Sequence, residues 1–304
     1  MLGNGFAGRT GSKNQKENAI GFLFLFFAAG GTANAGEVEI FRTKHVPVNG
    51  VVIVAHGLNV KPAKMGGPED EGTIVKALLD GGYHVVRAAL TGHSGEEDGM
   101  TTVTARTWLD DARECVSVAR SVSERADAQP YPLYLVGFSL GALVFEVLMN
   151  EGVVFEKAVL FSPAVAIKTL VRGVLLLGFP PFTLPGGGQI IASKSPVEYR
   201  AGAGVSLAAY KALFELEKRL AADSFAKNNI PTLVFIDPLD ELVSYTKLKR
   251  LISKFNLSNW RQRSVYSKGG RVRPAYRHLI IDGVCLSEKE WAAVRRDMLD
   301  FLSG

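Results

Sequence analysis

The sequence predicts an α/β protein: a mostly parallel central sheet with helices on both faces, plus an inserted, mainly helical cap. Three observations predict it. Short β-branched runs without alternation recur along the chain, as strands buried on both faces require. Amphipathic segments with helical spacing lie between them, and strand alternating with helix is the pattern of a parallel sheet. One stretch of about 65 residues, Val165 to Ile230, breaks the alternation and is too long for a simple connection.

Length and composition agree with one large domain. The chain has 304 residues, 47% hydrophobic and 21% charged, with 32 glycines for tight turns. The formal charge is +5, of which Arg9, Lys13, Lys16 and Glu17 contribute +2. The remaining mild excess, with only the loose "KGGRVRPAYR" as a basic cluster, speaks against a nucleic-acid partner. Residues 1–35 have the three-part layout of a secretory signal: a basic start, the apolar run "AIGFLFLFFAA", and the small residues "ANA" at 33–35. The run is about 11 residues long, whereas a membrane span needs ~20. A cleaved signal and an exported, periplasmic or secreted protein in a bacterial context are therefore expected. Membrane contact is left only to the cap or an uncleaved N-terminus.

The elements follow in order. "EVEIFRTKHV" alternates with period two and reads as an edge strand, and "GVVIVAHG" (50–57) as a strand buried on both faces. "GTIVKALLDGG" is a short helix, "YHVVRAAL" a buried strand, and "TARTWLDDARECVSVARSVSERA" a long amphipathic helix. "YPLYLVGF" is a strand and "LGALVFEVLMNEG" a helix stopped by Gly152; "KAVLFSP" and "PTLVFIDP" are two more buried strands. "ELVSYTKLKRLISKF" is a helix and "RQRSVYSKG" a last strand. "SEKEWAAVRRDMLDFL" closes the chain as a helix capped by Ser287, with Glu290 in the capping-box position. This assigns 36–164 and 231–304 to the core and 165–230 to the cap. The cap includes the apolar "LVRGVLLLGFPPFTLPGGG" and the helix "SLAAYKALFELEKRLAADS". Cys115 and Cys285 each sit in an apolar segment, where free cysteine behaves as a small buried hydrophobe, and that reading is preferred to a disulfide. No clustered His/Cys set suggests a metal, and no cofactor is expected.

Function in such sheets gathers at the carboxyl ends of the strands. "GFSLGA" follows one of them. A serine hydroxyl is a weak nucleophile that needs an adjacent base. To be reachable it must project from a tight strand-to-helix turn, where neighbouring side chains would clash. Gly137 and Gly141 meet that need around Ser139. Of five histidines (His45, His56, His84, His93, His278), only His278 comes late in the chain, beyond the last strand, which makes it the candidate base. The acid that orients it is Asp240, at the loop tip after "LVFIDP", in preference to Asp237, with Glu241 and Asp282 behind. Two amides must hold a developing oxyanion: that of Leu140, just after the serine, and that of Leu58, in the loop after "VVIVAHG". Gly57 lets this loop approach closely, and His56 is expected to hold it.

"VAHGL", "ALTGHSG", "GFSLGA", "DPLDELV" and "RHLIID" occur in the order and rough spacing of the α/β-hydrolase superfamily. The sequence resembles its monoacylglycerol-lipase and carboxylesterase-like branch from Val51 to the C-terminus, the cap excepted. The "GHG"-type turn of that branch reads Gly92-His93-Ser94-Gly95 here, with one inserted residue. The resemblance implies Ser139 as nucleophile, Asp240 as acid, His278 as base, and Leu58 and Leu140 as oxyanion donors. It implies an ester-cleaving serine hydrolase whose partner is a small-molecule ester, with an apolar acyl chain suggested by the cap. Amide hydrolysis or acyl transfer on the same triad, or a binding protein on this scaffold, are the alternatives. Oligomeric state is left open.

Overall fold

The computed structural model describes residues 38–94, 99–126, 128–169, 182–183, 189–193, 195–221, 225–267 and 276–304. The expected signal at 1–35 lies outside the described residues, as does the apolar run 170–188 apart from Phe182 and Thr183.

The β-branched runs form the main sheet. Its strands are β1 (Glu39–Phe41), β2 (Gly50–Ala55), β3 (Tyr83–Ala88), β4 (Leu133–Phe138), β5 (Lys157–Phe161), β9 (Thr232–Ile236) and β10 (Trp260–Ser264). They lie in the order β1-β3-β2-β4-β5-β9-β10, and only the β1–β3 pair is antiparallel. Burial on both faces explains the apolar runs. Successive side chains of a strand point to opposite faces. Val51, Ile53 and Ala55 enter one core with α2 (Ala105–Ser123) and α3 (Leu140–Asn150). Val52 and Val54 enter the other with α1 (Ile74–Asp80) and α6 (Glu288–Ser303). Ser287 caps α6 as expected, its hydroxyl accepting the Glu290 N–H at 3.2 Å. Cys115 and Cys285 are free and buried in different cores, which leaves no route to a disulfide.

The expected cap, 165–230, resolves into two parts. Helix α4 (Leu207–Ala221) packs Ala209, Ala212, Leu213, Leu216 and Leu220 into the same core as α2 and α3. It leads to β9, the sheet neighbour of β5, and so serves as the connection that two parallel strands require. The stretch before it carries a small antiparallel sheet of β6 (Phe182–Thr183), β7 (Gln189–Ala192) and β8 (Gly204–Ser206). Strands of two to four residues are too short to show alternation, so this sheet left no periodic signal. Helix α5 (Tyr245–Lys254) follows β9.

Candidate active site

Strand β2 has β3 on one side and β4 on the other, so the chain reverses its direction of travel across the sheet there. The crevice at such a point is where open parallel sheets place their sites. Ser139 joins β4 to α3 there, with φ 49° and ψ −109°. This is a sparsely populated conformation for a residue with a side chain, and it persists only where the surroundings hold it. The surroundings do so: the Ser139 N–H donates to Phe161 O at 2.9 Å, and its carbonyl accepts from Ala164 N–H at 3.1 Å. The glycines answer to close approach. A Cβ on Gly141 would stand 2.6 Å from the His56 carbonyl oxygen, and one on Gly137 would stand 2.8 Å from Ala142 Cα.

His278 reaches this turn from the loop before α6. Its Nε2 lies 2.8 Å from Ser139 Oγ and its Nδ1 lies 2.8 Å from Asp240 Oδ2. A carboxylate can only accept, so Nδ1 carries the proton and Nε2 is left to accept from the serine hydroxyl. The second Asp240 oxygen accepts the N–H groups of Leu242 and Val243 at 2.7 and 2.9 Å. Burial pushes this carboxyl up, but the His278 charge and hydrogen bond, with the two amides, outweigh it and hold it below its usual range. Burial likewise pushes His278 down, and the Asp240 charge and hydrogen bond outweigh that and raise it. The other acids are engaged elsewhere. Asp237 accepts from the N–H groups of Leu239 and Ser267, Glu241 from Arg277 N–H, and Asp282 from Tyr199 OH and the amides of Val284 and Cys285.

The loop after β2 stands against the serine. A Cβ on Gly57 would lie 3.2 Å from Ser139 Cβ, so the residue before Leu58 packs directly on the serine turn. Leu140 is the first residue of α3, so its N–H has no acceptor within the helix. His56 is fully buried. Its Nδ1 donates to Gly57 O at 2.9 Å and its Nε2 accepts from Leu90 N–H at 3.0 Å, tying the loop after β2 to the end of β3. Burial, with His93 alongside, pushes its pKa well down, so it is neutral and acts as a brace. His93 packs on it with ring centroids 4.6 Å apart, and burial holds His93 at about 4. His84 accepts from Thr43 N–H at the edge of the sheet, and His45 is exposed. Neither is near the serine turn. A cleft of 800 Å³ opens between α4 and α5, lined by Val165, Phe214, Leu220, Leu251 and Phe255 among others, but neither Ser139 nor His278 lines it.

A family model described as the alpha/beta hydrolase family matches residues 52–301. The chain belongs to the alpha/beta hydrolase family. Solved structures agree on the fold. A metagenome-derived lipolytic enzyme from a study of LipS and LipT is 19% identical, covering 89% of this chain and 98% of that one, with a TM-score of 0.62. A soluble variant of the Saccharomyces cerevisiae monoglyceride lipase, in complex with a substrate analogue, is 12% identical over 87% of this hydrolase and 90% of its own length, with a TM-score of 0.64. Est1E of Butyrivibrio proteoclasticus, with bound ferulic acid, is 19% identical over 88% and 96%, with a TM-score of 0.56. No curated protein sequence matches the chain significantly.

The tertiary structure adds one feature that the sequence reading missed. The loop carrying Leu58 is gripped by residues 199–202, from the stretch between β7 and β8. Val60 pairs with Arg200 as an antiparallel bridge, the Asn59 carbonyl accepts the Ala201 N–H, and the Asn59 side chain exchanges hydrogen bonds with Gly202. An Asn straight after "HGL" was the available signal, since Asn is among the few residues at home at positive φ.

Proposed function

We propose that this hydrolase cleaves carboxylic esters through a Ser139–His278–Asp240 triad and a covalent acyl-enzyme. The observation that carries the reading is the unbroken relay of 2.8 Å contacts from Asp240 Oδ2 through His278 to Ser139 Oγ. His278 Nε2 takes the hydroxyl proton as Oγ attacks the ester carbonyl. The negative charge that develops on the carbonyl oxygen falls to the amides of Leu58 and Leu140, the latter at the positive end of the α3 dipole. The imidazolium formed is stabilised by Asp240 and gives its proton to the departing alcohol. A water deprotonated by His278 then releases the acid. His56, Gly57, Gly137 and Gly141 shape the turn and the loop and do not touch the proton.

Ester is favoured over amide as the reaction to test first because lipolytic enzymes and esterases are among the structures that share this fold. The substrate class is a small-molecule ester. The N-terminal layout supports export through a cleaved signal at 1–35, and N-terminal sequencing of the exported protein tests it. For the reaction, p-nitrophenyl esters of increasing chain length are assayed beside aminoacyl anilides, with fluorophosphonate labelling of the wild type and Ser139→Ala. Ester turnover and labelling, both lost in Ser139→Ala, are expected. Anilide turnover without ester turnover would overturn the esterase reading, and a folded wild type that never labels would point to a binding protein.

A further inference from the structure

We infer that Asn59 is a positioning residue for the oxyanion hole, acting as a side-chain clasp between the Leu58 loop and the inserted segment 199–202. The inference rests on the Leu58 amide being one of the oxyanion donors.

Asn59 directly follows Leu58, so anchoring Asn59 holds one end of the residue whose N–H is the donor. It is 1% exposed and has φ 55°. Its side chain closes a two-way bond with a single residue: Oδ1 accepts the Gly202 N–H at 2.8 Å and Nδ2 donates to the Gly202 carbonyl at 3.3 Å. The backbone extends the grip. Asn59 O accepts the Ala201 N–H at 3.2 Å, Val60 bridges Arg200, and the Lys61 N–H donates to Tyr199 O at 2.9 Å. The loop is thus pinned by residues 199–202, while His56 braces it from the β3 side. The same segment also reaches the loop that carries His278, since Tyr199 OH donates to Asp282 Oδ2 at 2.6 Å. A carboxamide is suited to this task. It offers one donor and one acceptor to the backbone N–H and C=O of one residue, and its own residue tolerates positive φ.

The clasp holds no charge and touches no reacting atom, so its effect must appear in the transition state. An oxyanion donor pays only where the oxygen is negative, and misplacement by about 1 Å costs on the order of a hundredfold. Asn59→Ala is therefore expected to lower kcat for a p-nitrophenyl ester by about tenfold to a hundredfold, with KM within about twofold. Affinity for an alkyl trifluoromethyl ketone, which forms a charged tetrahedral adduct, should fall by the same factor as kcat. Asn59→Gly separates the side chain from the backbone: glycine adopts φ 55° without strain but lacks the carboxamide, so it should stay impaired. Gly202→Pro attacks the clasp from the other strand by removing the N–H that Oδ1 accepts, and should mimic Asn59→Ala without adding to it. Gly202→Ala, where an added Cβ meets nothing closer than 3.9 Å, should behave as wild type. Full recovery in Asn59→Gly would overturn the clasp, because φ alone would then matter. So would a kcat loss in Asn59→Ala with unchanged ketone affinity. A wild type with neither ester turnover nor fluorophosphonate labelling would instead sink the underlying reading of Ser139.

Discussion

Replacing Asp240 by Asn changes one atom's chemistry and should nearly silence the enzyme. Oδ1 accepts the Leu242 and Val243 N–H groups at 2.7 and 2.9 Å, so the amide oxygen of Asn must take that position. Its NH2 is then forced towards His278 Nδ1, which Oδ2 now approaches at 2.8 Å. Two donors cannot face each other, so Nδ1 gives up its proton and the ring switches to the Nε2–H tautomer. Nε2 lies 2.8 Å from Ser139 Oγ and, carrying a proton, can no longer accept one. The same swap of tautomer in a Ser-His-Asp triad costs kcat about 10⁴-fold, or ~5 kcal/mol at 1.36 kcal/mol per decade. The assay is kcat on a p-nitrophenyl ester near neutral pH, with thermal unfolding measured alongside. The replacement is nearly isosteric and keeps both amide bonds, so the fold should survive. A folded Asp240→Asn with less than about a tenfold loss would refute the assignment of Asp240 as the orienting acid.

Two further outcomes follow from the packing around the site. Gly141→Ala places a methyl group 2.6 Å from His56 O and 2.7 Å from Ala55 C, both backbone atoms, so the serine turn and the loop after β2 must part. A loss of about 1–3 kcal/mol in stability, with loss of ester turnover, is expected in denaturant unfolding and kinetics; a wild-type midpoint and rate would show that the turn has slack. Glu146, on α3 behind the serine, is fully buried, and burial pushes its carboxyl up to about 8 against the Asn228 hydrogen bond. The folded chain therefore keeps a proton that the unfolded chain releases above 4.5, so stability should fall as pH rises from there to about 8 and then level. Glu146→Gln removes that titration. At pH 7 the gain should be about 3 kcal/mol at 1.36 kcal/mol per unit, and identical pH–stability curves for variant and wild type would contradict it.

Much of this molecule was legible in one dimension because its signals are local. A strand buried on both faces must be apolar throughout, so "VVIVA" and "LVFI" announced a parallel sheet. The serine turn was legible because sterics demand small residues at 137 and 141, whatever the rest of the chain does. Order along the chain was enough to single out Ser139, Asp240 and His278 as the residues to test, since strand ends of a parallel sheet converge on one edge.

What the sequence could not decide involves pairs of residues far apart along it. Asp237, Asp240, Glu241 and Asp282 are the same chemistry, and only the fold shows that three of them are committed to Ser267, Arg277 and Tyr199 while one faces His278. Helix α4 had the same amphipathic pattern whether it covered the site or the core, and only its packing with α2 and α3 places it in the core. The clasp of Asn59 on Gly202 joins residues 143 positions apart through a loop conformation that no periodicity encodes. Periodicity and sterics act within a few residues and are written in the sequence. Which distant groups share a hydrogen bond is decided only when the sheet closes and brings their loops together.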